Sequence, residues 1–215
     1  TQFHENPYLN LRGRGVLIGI IDTGIDYLNT EFMTEDDRTR IVSIWDQTIQ
    51  TGTPPEGFYY GSEYTDAQIN EAIAASFRGE DPYSIVPQRD LNGHGTAVAG
   101  IAGGRGRAGV TGAAPDCQFV IVKLKESRRL TLESMGIIFP VDVPIYETTD
   151  VVLGLNYLTS VQRRLNKPMV ICVPVETNRG GHDGSSISER FIDYFSITRG
   201  VVVVGGSGNQ GAAAK

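Results

Sequence analysis

The chain has 215 residues, 40% of them hydrophobic, enough to bury a substantial core as one domain or most of one. Its 19 Lys and Arg against 25 Asp and Glu leave a formal charge of -6, which advertises no basic face and sets aside nucleic acid and anionic membranes as first-choice partners. No apolar run approaches the roughly eighteen residues of a membrane span, and the N-terminus lacks the basic region and apolar stretch of a signal peptide.

Residues 1–15 are polar and irregular. Val16-Leu17-Ile18-Gly19-Ile20-Ile21 is almost continuously apolar, the pattern of a strand buried on both faces. It ends in Asp22-Thr23-Gly24-Ile25-Asp26, and in open parallel sheets chemistry collects just past the carboxyl ends of strands. Asp26 suits a turn-capping role, which leaves Asp22 as the candidate for chemistry. Ile41–Trp45 reads as a second, short strand. In the long polar connection that follows, Thr65-Asp66-Ala67-Gln68 is a capping box, and Ile69, Ala72, Ile73 and Phe77 share one side of a helix that Gly79 and Pro82 stop. Residues 46–89 therefore read as an ordered insertion with its own helix.

Asp90-Leu91-Asn92-Gly93-His94-Gly95-Thr96 sets an imidazole between two glycines at the start of a helical pattern. Ala97, Val98, Ile101 and Ala102 continue it as a small-residue face suited to close packing on a sheet. Gly103–Gly112 is turn-rich without a Gly-Lys-Ser/Thr ending, so it is no phosphate loop, and Gly13-Arg14-Gly15 precedes its strand instead of following it as a dinucleotide fingerprint would.

Phe119–Leu124 is a further central strand. After a less regular stretch with Pro140 and Pro144, residues 150–165 place Val151, Leu155, Leu158 and Leu165 on one helical face and Gln162, Arg163 and Arg164 outward. Met169–Val173 is another buried strand. A helix over about 187–198 starts with Ser186 and Glu189 as a capping box and turns Ile192 and Phe195 inward. Val201–Val204 then leads into a glycine-rich turn holding Asn209. Strands alternating with helices in this way specify an α/β fold with a mainly parallel sheet covered on both faces.

The two cysteines, Cys117 and Cys172, sit beside apolar runs with neither metal-ligand nor CxxC spacing, and read as small buried hydrophobes. His4, His94 and His182 form no compact ligand motif. Asp22 after one strand, His94 at a helix start and Asn209 after another strand fit a different chemistry. A histidine base needs a carboxylate to fix its tautomer, and a developing oxyanion needs an uncharged donor such as a carboxamide.

These motifs, Asp-Thr-Gly at 22–24, His-Gly-Thr at 94–96 and Gly-Asn-x-Gly at 208–211, resemble in order the aspartate, histidine and oxyanion-asparagine motifs of the subtilisin-like serine peptidases. Within that family the run from Ile44-Trp45-Asp46 through Pro54-Pro55-Glu56-Gly57 to Ile85-Val86-Pro87, with Val122–Glu126 and Thr177–Gly184, is most similar to the clostridial subtilases that include spore-germination proteases. The resemblance implies a three-layer subtilisin-like fold. In that fold Asp22 orients His94, His94 acts as general base and then acid, and Asn209 helps form the oxyanion hole. It also implies that the 215 residues are the N-terminal portion of one catalytic domain. The family serine stands in a Gly-Thr-Ser-x-Ala motif that these residues do not contain, so the isolated chain is expected to be inactive. Ser185, Ser186 and Ser207 do not match that motif.

Protein or extended-peptide substrates are implied, a zymogen among them, together with an extracellular or spore-associated location. No cofactor is required for the chemistry, and structural calcium is a family option that no carboxylate spacing here assigns. One departure keeps a second outcome open. Where the family carries Ser-Leu-Gly on the strand edge that pairs with substrate, this chain has Pro174-Val175-Glu176, and proline removes a backbone donor. The resemblance thus covers both an active endopeptidase and an inactive relative that binds or regulates another protein.

Overall fold

The computed structural model describes residues 11–134, 136, 144–175 and 183–208. In chain order these form β1 (Leu17–Asp22), β2 (Ile41–Asp46), β3 (Ser62–Thr65), α1 (Asp66–Phe77), α2 (His94–Gly103), β4 (Gln118–Lys123), α3 (Arg129–Ser134), α4 (Thr148–Leu165), β5 (Met169–Val173), α5 (Ile187–Ser196) and β6 (Val201–Gly205). The strands make one six-stranded sheet in the order β3-β2-β4-β1-β5-β6, parallel except for the antiparallel β2–β3 pair.

Every residue of β1 is buried, as its unbroken apolar run requires of a strand flanked on both faces and both edges. The alternation of side chains then divides the core. Ile18 and Ile20 point into a cluster with Ile69 and Ile73 of α1 and Ala99 of α2, whereas Leu17 and Ile21 point into a second with Leu155 and Leu158 of α4 and Phe195 of α5. The result is a three-layer α/β sandwich. By the same alternation Asp22 lies on the α2 face, at the carboxyl end of a strand flanked by β4 on one side and β5 on the other.

Several local expectations hold. Thr65 and Gln68 form the capping box of α1, and Ser186 and Glu189 that of α5. Cys117 is a buried free thiol as expected, whereas Cys172, also free, is only half-buried.

Others need correction. Phe77 is 65% exposed, because it is the last residue of α1 and the buried face ends with Ile73 and Ala75. Gln162 is buried, its Nε2 donating to the Lys167 carbonyl in the turn that follows α4. Strand β3 falls in what reads as polar connection: only Tyr64 of its four residues is a large apolar side chain, and it pairs through the backbone at the sheet edge. The buried face of α2 is Gly95, Ala99 and Gly103, while Ala97 and Ile101 lie on the exposed side.

Candidate active site

The Asp22 side chain is fully buried, and its two carboxylate oxygens each lie 2.9 Å from Nδ1 of His94. Oδ1 also accepts the Thr23 N–H at 2.6 Å, so the buried charge is held by a ring nitrogen and a backbone donor. The His94 side chain is 49% exposed. With Nδ1 committed to the carboxylate, the imidazole is held in one orientation over the carboxyl end of the sheet.

Two glycines permit this approach. Gly93, the residue before α2, has φ +84°, a left-handed turn that brings the chain into the helix. Gly95 packs on the backbone after β1 so closely that no side chain fits, which draws the helix start against Gly24.

A second carboxylate ties the same two segments together. Asp90 accepts the Thr23 hydroxyl at 2.8 Å, the Gly93 N–H at 2.9 Å, the Thr96 N–H at 2.9 Å and the Thr96 hydroxyl at 2.6 Å. Thr23 Oγ1 in turn accepts the Gly95 N–H, and Thr96 Oγ1 accepts the Asp26 N–H, both at 2.9 Å. The strand exit and helix start are therefore laced by one network, with the negative charge at the helix N-terminus where the backbone dipoles favour it. Burial alone would raise the Asp90 pKa, but its bonds to Thr96, Gly93 and Thr23 outweigh it and hold the carboxyl below its ordinary range. Sequence reasoning missed Asp90, Thr23 and Thr96 as parts of the site. The available signal was a carboxylate and a threonine bracketing Asn92-Gly93-His94-Gly95.

Asp26 takes the turn role expected of it, accepting the Leu28 N–H at 3.2 Å. Ser186 serves as the α5 cap and Asp183 accepts the Ser185 N–H at 3.0 Å, so these polar groups organise a loop and helix start. Asn209, Glu176 and His182 lie outside the described residues. Pro174 and Val175 follow β5 directly, Pro174 without an N–H to donate to an added strand. Among the described residues no group of three or more His, Cys, Asp or Glu could hold a metal ion, and no helix is long and apolar enough to cross a membrane.

Comparison with known proteins agrees with this architecture. Residues 13–215 match the profile of the subtilase family, peptidase S8. The structure of the Clostridium perfringens CspB protease superposes with a TM-score of 0.77 at 35% identity, covering 96% of this chain and 39% of that one. Sphericase, at 19% identity and a TM-score of 0.58, shares the fold. Among curated proteins, the Arabidopsis thaliana subtilisin-like protease SBT3.6 is 26% identical over 217 residues, 93% of this chain and 26% of the relative, and SBT3.3 is 26% identical over 226 residues. The chain thus spans about a quarter of the length of the curated relatives it matches. With a three-layer sandwich, a mainly parallel sheet and a profile match over most of its length, the chain belongs to the subtilase family.

Proposed function

We propose that the protein carrying this chain is a serine endopeptidase in which Asp22 and His94 activate a serine supplied by residues outside these 215. The observation that carries the reading is the pairing of a fully buried Asp22 carboxylate with Nδ1 of a half-exposed His94 at 2.9 Å. In that geometry Nε2 takes the serine hydroxyl proton as Oγ attacks the peptide carbonyl, and Asp22 stabilises the imidazolium without itself taking the proton. The proton then passes from Nε2 to the leaving amine, and water repeats the sequence on the acyl-enzyme. Asn209 is assigned to the oxyanion, where a carboxamide N–H strengthens its hydrogen bond as charge develops on oxygen.

Substrates are extended polypeptides laid across the carboxyl end of the sheet by strand addition. The similarity to the clostridial group supports a zymogen as substrate and an extracellular or spore-associated setting. A second reading rests on Pro174: a residue without an N–H where the family pairs with substrate favours a catalytically silent relative that holds another protein.

Labelling of the full-length gene product with a serine-directed fluorophosphonate separates the two. The peptidase reading expects covalent labelling that His94→Ala abolishes and that Asp22→Asn slows by about 10⁴-fold, because the wrong histidine tautomer then faces the serine. A folded full-length protein that does not label supports the silent reading.

A further inference from the structure

On the β4 side of Asp22 the cleft contains a cavity of about 250 Å³ that begins beside Thr23 and Asn92, close neighbours in sequence of the Asp22 and His94 pair. Leu124, Pro144 and Tyr146 supply an apolar wall. Two charged side chains also line it, and their situations differ. Lys123 donates from Nζ to the Arg89 carbonyl at 2.7 Å and lies 3.7 Å from Oδ2 of the buried Asp46, so its charge is used inside the protein. The next cation along the chain, Lys125, is held by both oxygens of Asp150 at 2.5 and 2.6 Å. Glu126 is exposed, and its carboxylate makes no hydrogen bond or ion pair among the described residues.

Among the described residues lining the cavity, the uncompensated charge is therefore negative. Tyr146 senses it: burial first, then the charges of Asp22, Glu126 and Asp90, push its hydroxyl up to about 12. An apolar wall ending at a free carboxylate fits a side chain with an aliphatic stem and a cationic head. An acidic side chain would meet like charge, and an apolar one would strip water from Glu126 without replacing it.

Resting on the peptidase reading above, we propose that this cavity is a subsite for a lysine or arginine side chain of the substrate, with the stem on Leu124, Pro144 and Tyr146 and the head on Glu126. Strand order supports the placement. A peptide crossing the carboxyl end of β1 runs between the exits of β4 and β5, and the cavity is on its β4 flank.

The test measures cleavage of internally quenched peptide pools by the full-length protein and by its Glu126→Gln and Glu126→Lys variants. Each position around the scissile bond is fixed in turn as Lys, norleucine or Glu. At one position Lys should exceed norleucine by about fivefold, the scale of a solvent-exposed ion pair, with Glu poorest. Glu126→Gln should flatten that preference and Glu126→Lys should invert it towards Glu, leaving the other positions unchanged. Equal cleavage of the three pools at every position, or a Lys preference that Glu126→Lys leaves in place, overturns the subsite while the peptidase reading stands. Failure to cleave any pool overturns the peptidase reading and the subsite with it.

Discussion

Gly95 rests on Gly24 so closely that a β-carbon at position 95 would sit 2.2 Å from the Gly24 carbonyl oxygen and 3.2 Å from Asp22 Cβ. Both contacts are with atoms that cannot swing away. Gly95→Ala should therefore push the start of α2 off the sheet, at a cost of at least about 1–3 kcal/mol for overpacking. Thermal denaturation of the full-length gene product should show the loss. In whatever fraction folds, the downfield imidazole proton shared by His94 and Asp22 should shift or vanish from the NMR spectrum. A variant of unchanged stability with an unchanged imidazole signal would contradict the close approach.

Asp90 makes a pH-dependent prediction. Its folded-state pKa lies below the ordinary carboxylate value, so its stabilising contribution is present above about pH 4 and is lost as pH falls through the depressed folded value. Asp90→Asn keeps the size of the side chain but replaces one acceptor oxygen by an NH2, which then faces either the Thr23 and Gly93 donors or the two Thr96 donors. At neutral pH the variant should be less stable by about 2 kcal/mol. As the pH falls below about 4 and through the depressed folded value, the wild type should lose the advantage, and the two unfolding midpoints should converge. Midpoints that stay parallel across that range would mean the bonds contribute nothing through the charge.

Arg40 is a buried cation that donates to three backbone carbonyls and, at 3.8 Å, to the Cys117 Sγ. NH1 donates to Cys117 O at 2.9 Å, NH2 donates to Glu31 O and Gly103 O at 2.6 Å each, and the guanidinium stands 5.2 Å from the Phe119 ring centre. Gly103 is the last residue of α2, so the guanidinium caps the far end of the helix that carries His94. Desolvation by burial pulls the Arg40 pKa down, with the Cys117 side chain and the Asp116 charge opposing it only in part. Arg40→Met preserves much of the volume and strands three acceptors, with a cost of about 3 kcal/mol or more. Urea titration should show a lower midpoint with an unchanged slope. Arg40→Lys, which has one compact head for three separated acceptors, should recover only part of the loss.

The framework was legible because the strands that build it are apolar almost without interruption. The interiors of β1 (Leu17–Ile21, broken only by Gly19), β4 (Phe119–Val122) and the whole of β5 are hydrophobic, so no other element competes for them. Position supplied Asp22, since a carboxylate at the exit of such a strand stands where open parallel sheets place their chemistry. What stayed hidden had weak hydropathy or none. Strand β3 is Ser62, Glu63, Tyr64 and Thr65, and only its backbone pairing identifies it. The buried stripe of α2 is Gly95, Ala99 and Gly103, small residues that carry close approach without apolar weight, so Ile101 draws attention to the wrong face. Asp90 was invisible for another reason. Its partners Thr23 and Thr96 lie 67 and 6 residues away, and only folding gathers them around one carboxylate.

Tyr157 joins that hidden strand to the helical layer. The side chain is fully buried in α4, with its hydroxyl 2.7 Å from Ser43 Oγ on β2 and 2.7 Å from Glu63 Oε1 on β3. Burial first, then the Glu63 charge, raise its pKa well above the usual phenol range, so the group is a neutral donor at physiological pH. Tyr157→Phe removes the donor and leaves Glu63 with Arg164 at 3.9 Å, a long pair half in solvent. The expected loss is about 1–2 kcal/mol. Combined with Glu63→Gln in a double-mutant cycle, the coupling should be about 1 kcal/mol. That coupling would mean residues 62–65 fold as part of the same unit as α4. Additive effects would mean that the edge strand closes independently and that the hydroxyl is satisfied by Ser43 alone.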